Sequence, residues 1–369
     1  MTIEDKSIGL ALSGGGFRAT LFGLGSLWRL NEAGLLGKLD YISSVSGGSI
    51  LSGILAHQWK ELDFVNGRAG NFQGVIAEPV QDFCSRTIDV DAAIFGMLTP
   101  FKTAGEYLSD RYDKELFHGT LLRDIPAAEP GRAPEFIFQA TNLQTGCSFN
   151  FRQDKVTDAV LGISRRAEFS LADAVAASSA FPPIFSPVIL QCAPTVWEKQ
   201  LDDSSLLELH KRIVLADGCV CDSMGVESLV EGVDILLVSD AGIHLKIVPR
   251  PLVDDILQFR RIRDILTDQA RTLRKRWLTS ELAAGRKQGA YWGVDSEIGA
   301  FKAAGALTVD NVKTARLQTL PTRTCRFDER DQGRLINWGY ALAAAALACR
   351  SDLASEAELA WPLPDWHLS

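Results

Sequence analysis

Ser46, within Tyr41-Ile-Ser-Ser-Val-Ser-Gly-Gly-Ser-Ile50, is the residue of this chain whose setting speaks first of chemistry. A β-type run ends at Val45, the serine follows, then Gly47 and Gly48, then an apolar helix-like segment to Trp59. A nucleophile elbow has this order: a sharp strand-to-helix turn lifts a hydroxyl out of a sheet and aims a helix N-terminus at it. Only small neighbours permit such a turn. The usual pattern is G-x-S-x-G, and Ser44 holds its first position here. Small-residue turns without chemistry are common, so the segment alone also describes a plain strand–turn–helix.

A second segment has the means to stabilise an anion. Ile8 to Leu12 reads as a short buried strand, Ser13-Gly14-Gly15-Gly16-Phe17-Arg18 follows, and Ala19 to Leu30 has helical apolar spacing. Consecutive glycines leave bare N–H groups that can converge on one oxygen, a helix start favours negative charge, and Arg18 adds a donor. A phosphate loop and an oxyanion hole for acyl transfer are both open at this point. The phosphate reading lacks a G-K-[ST] ending, and Ala19 occupies the last position of a G-x-G-x-x-G. A glycine turn with no chemistry is the third possibility.

A nucleophilic serine needs a base. The five histidines, His57, His118, His210, His244 and His367, stand in no setting that suggests a triad. His57 lies eleven residues past Ser46 on the same expected helix, too far along it to reach the hydroxyl. The alternative is Asp217, which closes the apolar run Ile213 to Ala216 and precedes Gly218 and Cys219. An Asp-Gly after a strand is usually only a turn. A desolvated carboxylate oriented beside the hydroxyl can nevertheless serve as base.

In this order the three segments resemble the patatin-like phospholipases. The likeness is carried by Gly14-Gly15-Gly16-Phe17-Arg18, Ser44-Val45-Ser46-Gly47-Gly48 and Asp217-Gly218-Cys219. Phe136 to Gly146 is similar to the family's central strand with its A-T-[DN]-x-x-T-G end. Ala172 to Phe185 is similar to its A-S-x-A-x-P-x-x-F segment. Together they span roughly residues 8 to 240. The resemblance implies a three-layer α/β/α sandwich with a mostly parallel central sheet. It implies Ser46 as nucleophile, Asp217 as base, an oxyanion hole around Gly14, Gly15 and Gly16 with Arg18 supporting that loop, and an elbow of Ser44, Gly47 and Gly48. The implied activity is phospholipase A-type hydrolysis of lipid esters through an acyl-serine, with no metal, nucleotide or redox cofactor. Ser44 and Cys219 depart from the family pattern, both by small residues. A thioesterase or acyltransferase using the same dyad, a silent or nucleotide-regulated scaffold, and a nucleotide-binding protein built on Gly14–Gly16 are the alternatives. An unidentified activator is compatible with each.

The rest of the chain must position these residues. Its 369 residues, 46% of them apolar, suffice for a large core. A formal net charge of −8 argues against general nucleic-acid binding. Seven scattered cysteines do not form a disulfide framework, and Cys219-Val-Cys221 lacks a second pair at metal-ligand spacing. No signal-peptide layout opens the chain and no apolar run reaches a membrane span, so a cytoplasmic protein with transient membrane contact is expected. Strands are expected at Ile8–Leu12, Tyr41–Val45, Glu135–Ala140, Ser148–Phe151, Arg212–Ala216 and Val233–Ser239. One domain over 1–369 is expected, with its core at about 8–240, a mainly helical insertion at about 59–130, and C-terminal helices within about 251–350, at 251–292 and 328–350. Glu198 to Lys211 is expected as an exposed connection and Pro362-Leu-Pro364 as a loose tail. Ala92 to Phe101 is apolar and reads as a lid, a membrane-dipping loop or a buried segment. From Ile256 to Leu278, apolar residues step by three and four among many arginines. Such a helix can lie on anionic lipid, and core packing with a solvated basic face is its plainer reading.

Overall fold

A computed structural model of the chain describes residues 6–88, 102–165, 168–182, 184–198, 204–242, 245, 247–251, 255–350, 353 and 357–369. Its strands are β1 (Ile8–Leu12), β2 (Tyr41–Val45), the small hairpin β3 (Phe64–Val65) and β4 (Arg68–Ala69), β5 (Glu135–Asn142), β6 (Ser148–Phe151), β7 (Val156–Asp158), β8 (Gly162–Ser164), β9 (Val188–Gln191), β10 (Arg212–Asp217), β11 (Ile235–Asp240) and β12 (Gln288–Gly293). Its helices are α1 (Gly16–Glu32), α2 (Gly47–Gln58), α3 (Glu78–Cys84), α4 (Ala104–Tyr112), α5 (Leu171–Ser179), α6 (Ser204–Lys211), α7 (Asp255–Ala283), α8 (Val312–Leu317) and α9 (Glu329–Ala348).

Ten strands form one mixed sheet in the order β12-β11-β1-β2-β5-β6-β7-β8, with β10 paired to β5 and β9 to β10. The five strands from β12 to β5 are all parallel. β1 and β11 are buried along their whole length, as parallel strands covered on both faces must be. One face carries the larger core, with α1, α2, α5 and α9. The other is closed by Met224, Val226, Leu229 and Leu278.

The register explains how residues 171 positions apart can meet. β2 runs parallel to β5 and β10 runs antiparallel to it, so the two strands approach each other along one edge of β5. Val45 pairs with Gln139. Asp217 pairs with the next residue, Ala140. The C-terminal ends of β2 and β10 therefore abut, and the residues that close them face each other.

Helices α1 and α9 cross with their backbones in contact. A methyl at Gly25 would lie 1.8 Å from the Ile336 oxygen, and one at Gly339 would lie 2.0 Å from the Phe22 oxygen. Alanine favours a helix over glycine by about 1 kcal/mol. Forcing two backbones apart costs about 3 kcal/mol at the upper end of overpacking, so Gly25→Ala should destabilise by about 2 kcal/mol net. Equilibrium urea unfolding checks this, and an unchanged midpoint would mean that the crossing has slack.

The structure corrects several expectations. Residues 288–292, read as helical, belong to the edge strand β12 against β11. The meander β7–β8 and strand β9 extend the sheet beyond the expected set. The 198–211 connection contains α6, and His210 is fully buried, stacked on Trp197 at 4.9 Å. The end of the chain is not loose: Asn337 Nδ2 donates to the Leu363 and Trp366 oxygens, and Leu368 is buried. Within the expected insertion, residues 92–101 lie outside the described residues, and so does the lid they suggest. Among the described residues no helix is long and apolar enough to cross a membrane. Finally, α7 inverts the plainer expectation. Phe259, Ile262, Leu266, Leu273 and Trp277 are exposed, while Arg271 and Leu278 are buried against the body.

Candidate active site

The carboxyl ends of β1, β2, β10 and β11 converge, which is where open α/β sheets build their sites. At the end of β2, Ser46 has φ 53° and ψ −122°, on the positive-φ side that a side chain rarely adopts. Its surroundings hold it there. The Ser46 N–H donates to the Ser178 oxygen at 3.1 Å, and its carbonyl accepts from Ser49 N at 2.8 Å and Ile50 N at 3.2 Å. A methyl on Gly47 would lie 2.0 Å from the Gly16 oxygen, and one on Gly48 would lie 2.4 Å from the Leu12 oxygen. These two glycines are required by close backbone approach. Ser44 is different. Its hydroxyl donates to the Ile137 oxygen, and Ser49 Oγ lies 3.0 Å from it and 2.8 Å from Ser178 Oγ. Ser178 in turn donates to the Gln139 oxygen at 2.6 Å. A serine at the first elbow position thus fits because buried hydroxyls surround it.

Asp217 closes β10 and is fully buried. Its Oδ1 accepts the Cys219 N–H at 2.8 Å. Its Oδ2 is buried, with no hydrogen bond of regular geometry among the described residues. Burial pushes the carboxyl up to about 6, against the pull of the adjacent Ser46 hydroxyl and of Cys219. The Cys219 thiol is pushed well up, by burial first and then by Asp217, so it stays neutral at physiological pH. It fills the space a Gly14 side chain would need: a methyl there would lie 2.2 Å from Cys219 Sγ and 3.0 Å from Ser46 Cβ.

The glycine loop divides its roles. Gly14 N–H donates to the Ser223 oxygen at 3.0 Å, and Phe17 N–H to the Arg323 oxygen at 3.1 Å. No acceptor among the described residues takes the N–H of Gly15 or Gly16, whose φ values are 141° and 58°. Those two donors remain for a ligand. Arg18 is buried, with Nε and Nη2 on the Ala241 oxygen (3.0 and 2.7 Å) and Nη1 on the Leu320 oxygen (2.7 Å). Burial lowers its pKa to about 10, with Asp240 opposing. It braces the loop and has few donors left for an oxyanion.

Ser46, the Gly14–Gly16 loop and Cys219 line a cavity of about 540 Å³. Ile50, Phe181, Ile184 and Phe185 give it apolar walls, and Arg261, Arg263, Arg271 and Arg323 line another part. None of His57, His118, His210 or His367 lines it. His57 lies instead 3.1 Å from Thr120 Oγ1. His244 lies outside the described residues. The structure thus places Ser46, Asp217 and the glycine loop side by side. Sequence reasoning missed Ser49, Ser178 and Ser223, which fix the turn and the loop, and the cavity arginines of α7. Ser178 lay within a segment already singled out, and so did Arg261 and Arg263, which read as part of a basic helix face and not as a cavity wall.

Residues 10–230 match the family model described as patatin-like phospholipase. Human GIVD cytosolic phospholipase A2 superposes with a TM-score of 0.55 at 16% identity, over 95% of this chain and 63% of that one. Its complex with methyl gamma-linolenyl fluorophosphonate superposes with a TM-score of 0.53 at 16% identity, over 95% and 59%. A Saccharomyces cerevisiae protein named as a candidate meiotic phospholipase, SPO1, is 50% identical over 46 residues, 12% of this chain and 7% of that protein. The chain therefore spans less than two thirds of the length of the relatives it matches.

Proposed function

The chain belongs to the patatin-like phospholipase family, and on that premise we propose that it is a lipid acyl hydrolase of phospholipase A type, acting through an acyl-serine on Ser46. The observation that carries the reading is Ser46 at positive φ, lining a cavity with apolar walls on one part, with the buried carboxyl of Asp217 beside it. Asp217 takes the Ser46 proton as Oγ bonds to the ester carbonyl carbon. The carbonyl oxygen becomes an oxyanion facing the free N–H groups of Gly15 and Gly16. One such donor is worth about 2.7–4 kcal/mol of barrier. The carbon–alkoxy bond then breaks, and the leaving alcohol takes the proton from Asp217. Water repeats the cycle with Asp217 again as base, releasing the fatty acid and restoring Ser46. The phospholipase relatives support a lipid substrate, and the apolar walls support an acyl chain.

The test is hydrolysis of a soluble short-chain p-nitrophenyl ester and of phospholipid vesicles. Wild type should turn over both, and Ser46→Ala neither. A folded wild type inert on both would overturn the reading. The pH profile is a separate check. The base must be ionised, so kcat/KM should climb about tenfold per pH unit below the Asp217 pKa, reach half its maximum near pH 6, and be flat above about 7. A midpoint near 4 would mean that the carboxyl is solvated during catalysis.

A further inference from the structure

Helix α7 presents its apolar residues to solvent. Phe259 is 70% exposed, Leu266 65% and Leu273 62%, with Ile262 and Trp277 also exposed. At 1.5 Å per residue the stripe from Phe259 to Trp277 is about 27 Å long. A helix that merely packed on the core would turn this face inward. Here the charged side is held inward by specific bonds. Arg271 pairs with Asp240 at 2.9 Å, Lys275 with Asp295 at 2.9 Å, and Arg263 Nη1 donates to the Pro182 oxygen at 2.6 Å. The outward orientation is therefore built into the fold.

We propose that this stripe is the surface by which the protein docks on an anionic phospholipid bilayer. The proposal rests on the lipid acyl hydrolase reading above and names the partner of that site. Three observations select this occupant. Phe259, Ile262, Leu266, Ala270, Leu273 and Trp277 step by 3, 4, 4, 3 and 4 residues. That is the 3.6 period of a straight helix on a flat surface. A heptad seam for a second helix would bring Gln269 and Arg276 into the contact. Secondly, the exposed arginines Arg260 and Arg276 flank the stripe, complementing anionic headgroups. Thirdly, the same helix forms one wall of the Ser46 cavity through Arg261, Arg263 and Thr267. Lipid under the stripe is thus separated from the cavity by the thickness of one helix, about 10 Å.

The experiment is co-sedimentation of the full chain with phosphatidylcholine vesicles, with and without phosphatidylserine, alongside soluble-ester hydrolysis and sedimentation velocity. Wild type should pellet with the serine-containing vesicles. The triple variant Phe259→Ser, Leu266→Ser, Leu273→Ser removes exposed side chains that do not line the cavity. It should bind those vesicles roughly a hundredfold more weakly, each half-buried anchor counting for about a factor of five. Its soluble-ester rate and sedimentation coefficient should match wild type. Arg260→Gln with Arg276→Gln should weaken binding to anionic vesicles and leave neutral ones unaffected. Unchanged vesicle binding by the triple variant overturns the proposal, and so does a wild type that never pellets. So too does a wild-type dimer that the triple variant dissociates, which would make the stripe an interface between copies. Because pelleting needs no turnover, a protein that pellets yet hydrolyses nothing keeps the docking surface and overturns the hydrolase reading.

Discussion

Asp217→Asn is expected to lower hydrolysis of a soluble ester by roughly 10²–10⁴-fold, the range for losing a positioned general base. The same change is expected to make the protein more stable. Asparagine keeps the shape and the acceptor for the Cys219 N–H, but its amide cannot take the Ser46 proton. The stability gain follows from the carboxyl's burial, which raises its folded pKa from 3.8 to about 6. The native state therefore holds a proton that the unfolded chain releases between those values. Stability from this group is present below about pH 4, is lost as pH rises towards 6, and stays lost above it. About two units correspond to about 3 kcal/mol of cost at neutral pH, as an order of magnitude. For a chain of this size that is a rise in Tm of about 3–4 °C in the variant at pH 7.5, fading as the pH approaches 4. Ser46→Ala should abolish turnover without this pH-dependent gain. An asparagine variant that retains near wild-type activity would remove Asp217 from the base role. One that melts lower at every pH would mean that the carboxylate serves structure.

These residues were legible because their signals are local. A serine between a strand and two glycines, three glycines before a helix, and an aspartate closing an apolar run each describe one turn, and a turn is set by a few adjacent residues. The six expected strands fall on observed ones for the same reason: each is a short, bounded apolar run. What the sequence hides is placement between distant segments. Nothing near Ser46 says that β2 and β10 share one edge of β5. Their meeting depends on the pairing of Val45 with Gln139 and of Asp217 with Ala140. The hydroxyl chain from Ser44 through Ser49 to Ser178 joins three elements and shows no local pattern. β12 was missed because Gly289 and Gly293 interrupt its apolar run, yet Gly289 packs against the Leu236 backbone, where a methyl would lie 1.9 Å from the oxygen. The periodicity of α7 was correctly helical, but periodicity locates an apolar stripe without saying whether core or solvent faces it. That choice is made by Asp240 and Asp295, which lie on or just beyond other strands.

Those carboxylates make Arg271 a residue whose loss should cost heavily in stability. Arg271 is 5% exposed and Asp240 is fully buried. Arg271 Nη2 and Nε reach Asp240 Oδ2 at 2.9 and 3.2 Å, and Nη2 also donates to the Gly242 oxygen at 2.7 Å. Burial would raise the Asp240 pKa, but the Arg271 charge, its hydrogen bonds, the Gly242 N–H and the Tyr291 hydroxyl outweigh it and hold the carboxyl below its usual value. Arg271→Met keeps the length of the side chain and leaves Asp240 ionised and buried, with the hydrogen bonds of Gly242 and Tyr291 and the more distant Arg18 charge to support it. Breaking a buried pair from one side costs about 3–5 kcal/mol, so Tm should fall by roughly 4–7 °C. Adding Asp240→Asn removes the stranded charge and keeps an acceptor for Gly242 N–H, so the double variant should recover more than half of the loss. Acid should narrow the gap as well. Stability from the pair is present above the unfolded carboxyl pKa and is lost as pH falls through the depressed folded value, whereas in the single variant Asp240 can take a proton earlier. The damage should also reach the cavity. Asp240, Ala241 and Gly242 are the common anchor of Arg271 and Arg18, and Arg18 braces the glycine loop through Ala241. Arg271→Met should therefore lower soluble-ester turnover even at temperatures where it is fully folded. Turnover equal to wild type, with Tm unchanged, would mean that this buried pair holds neither the helix nor the loop.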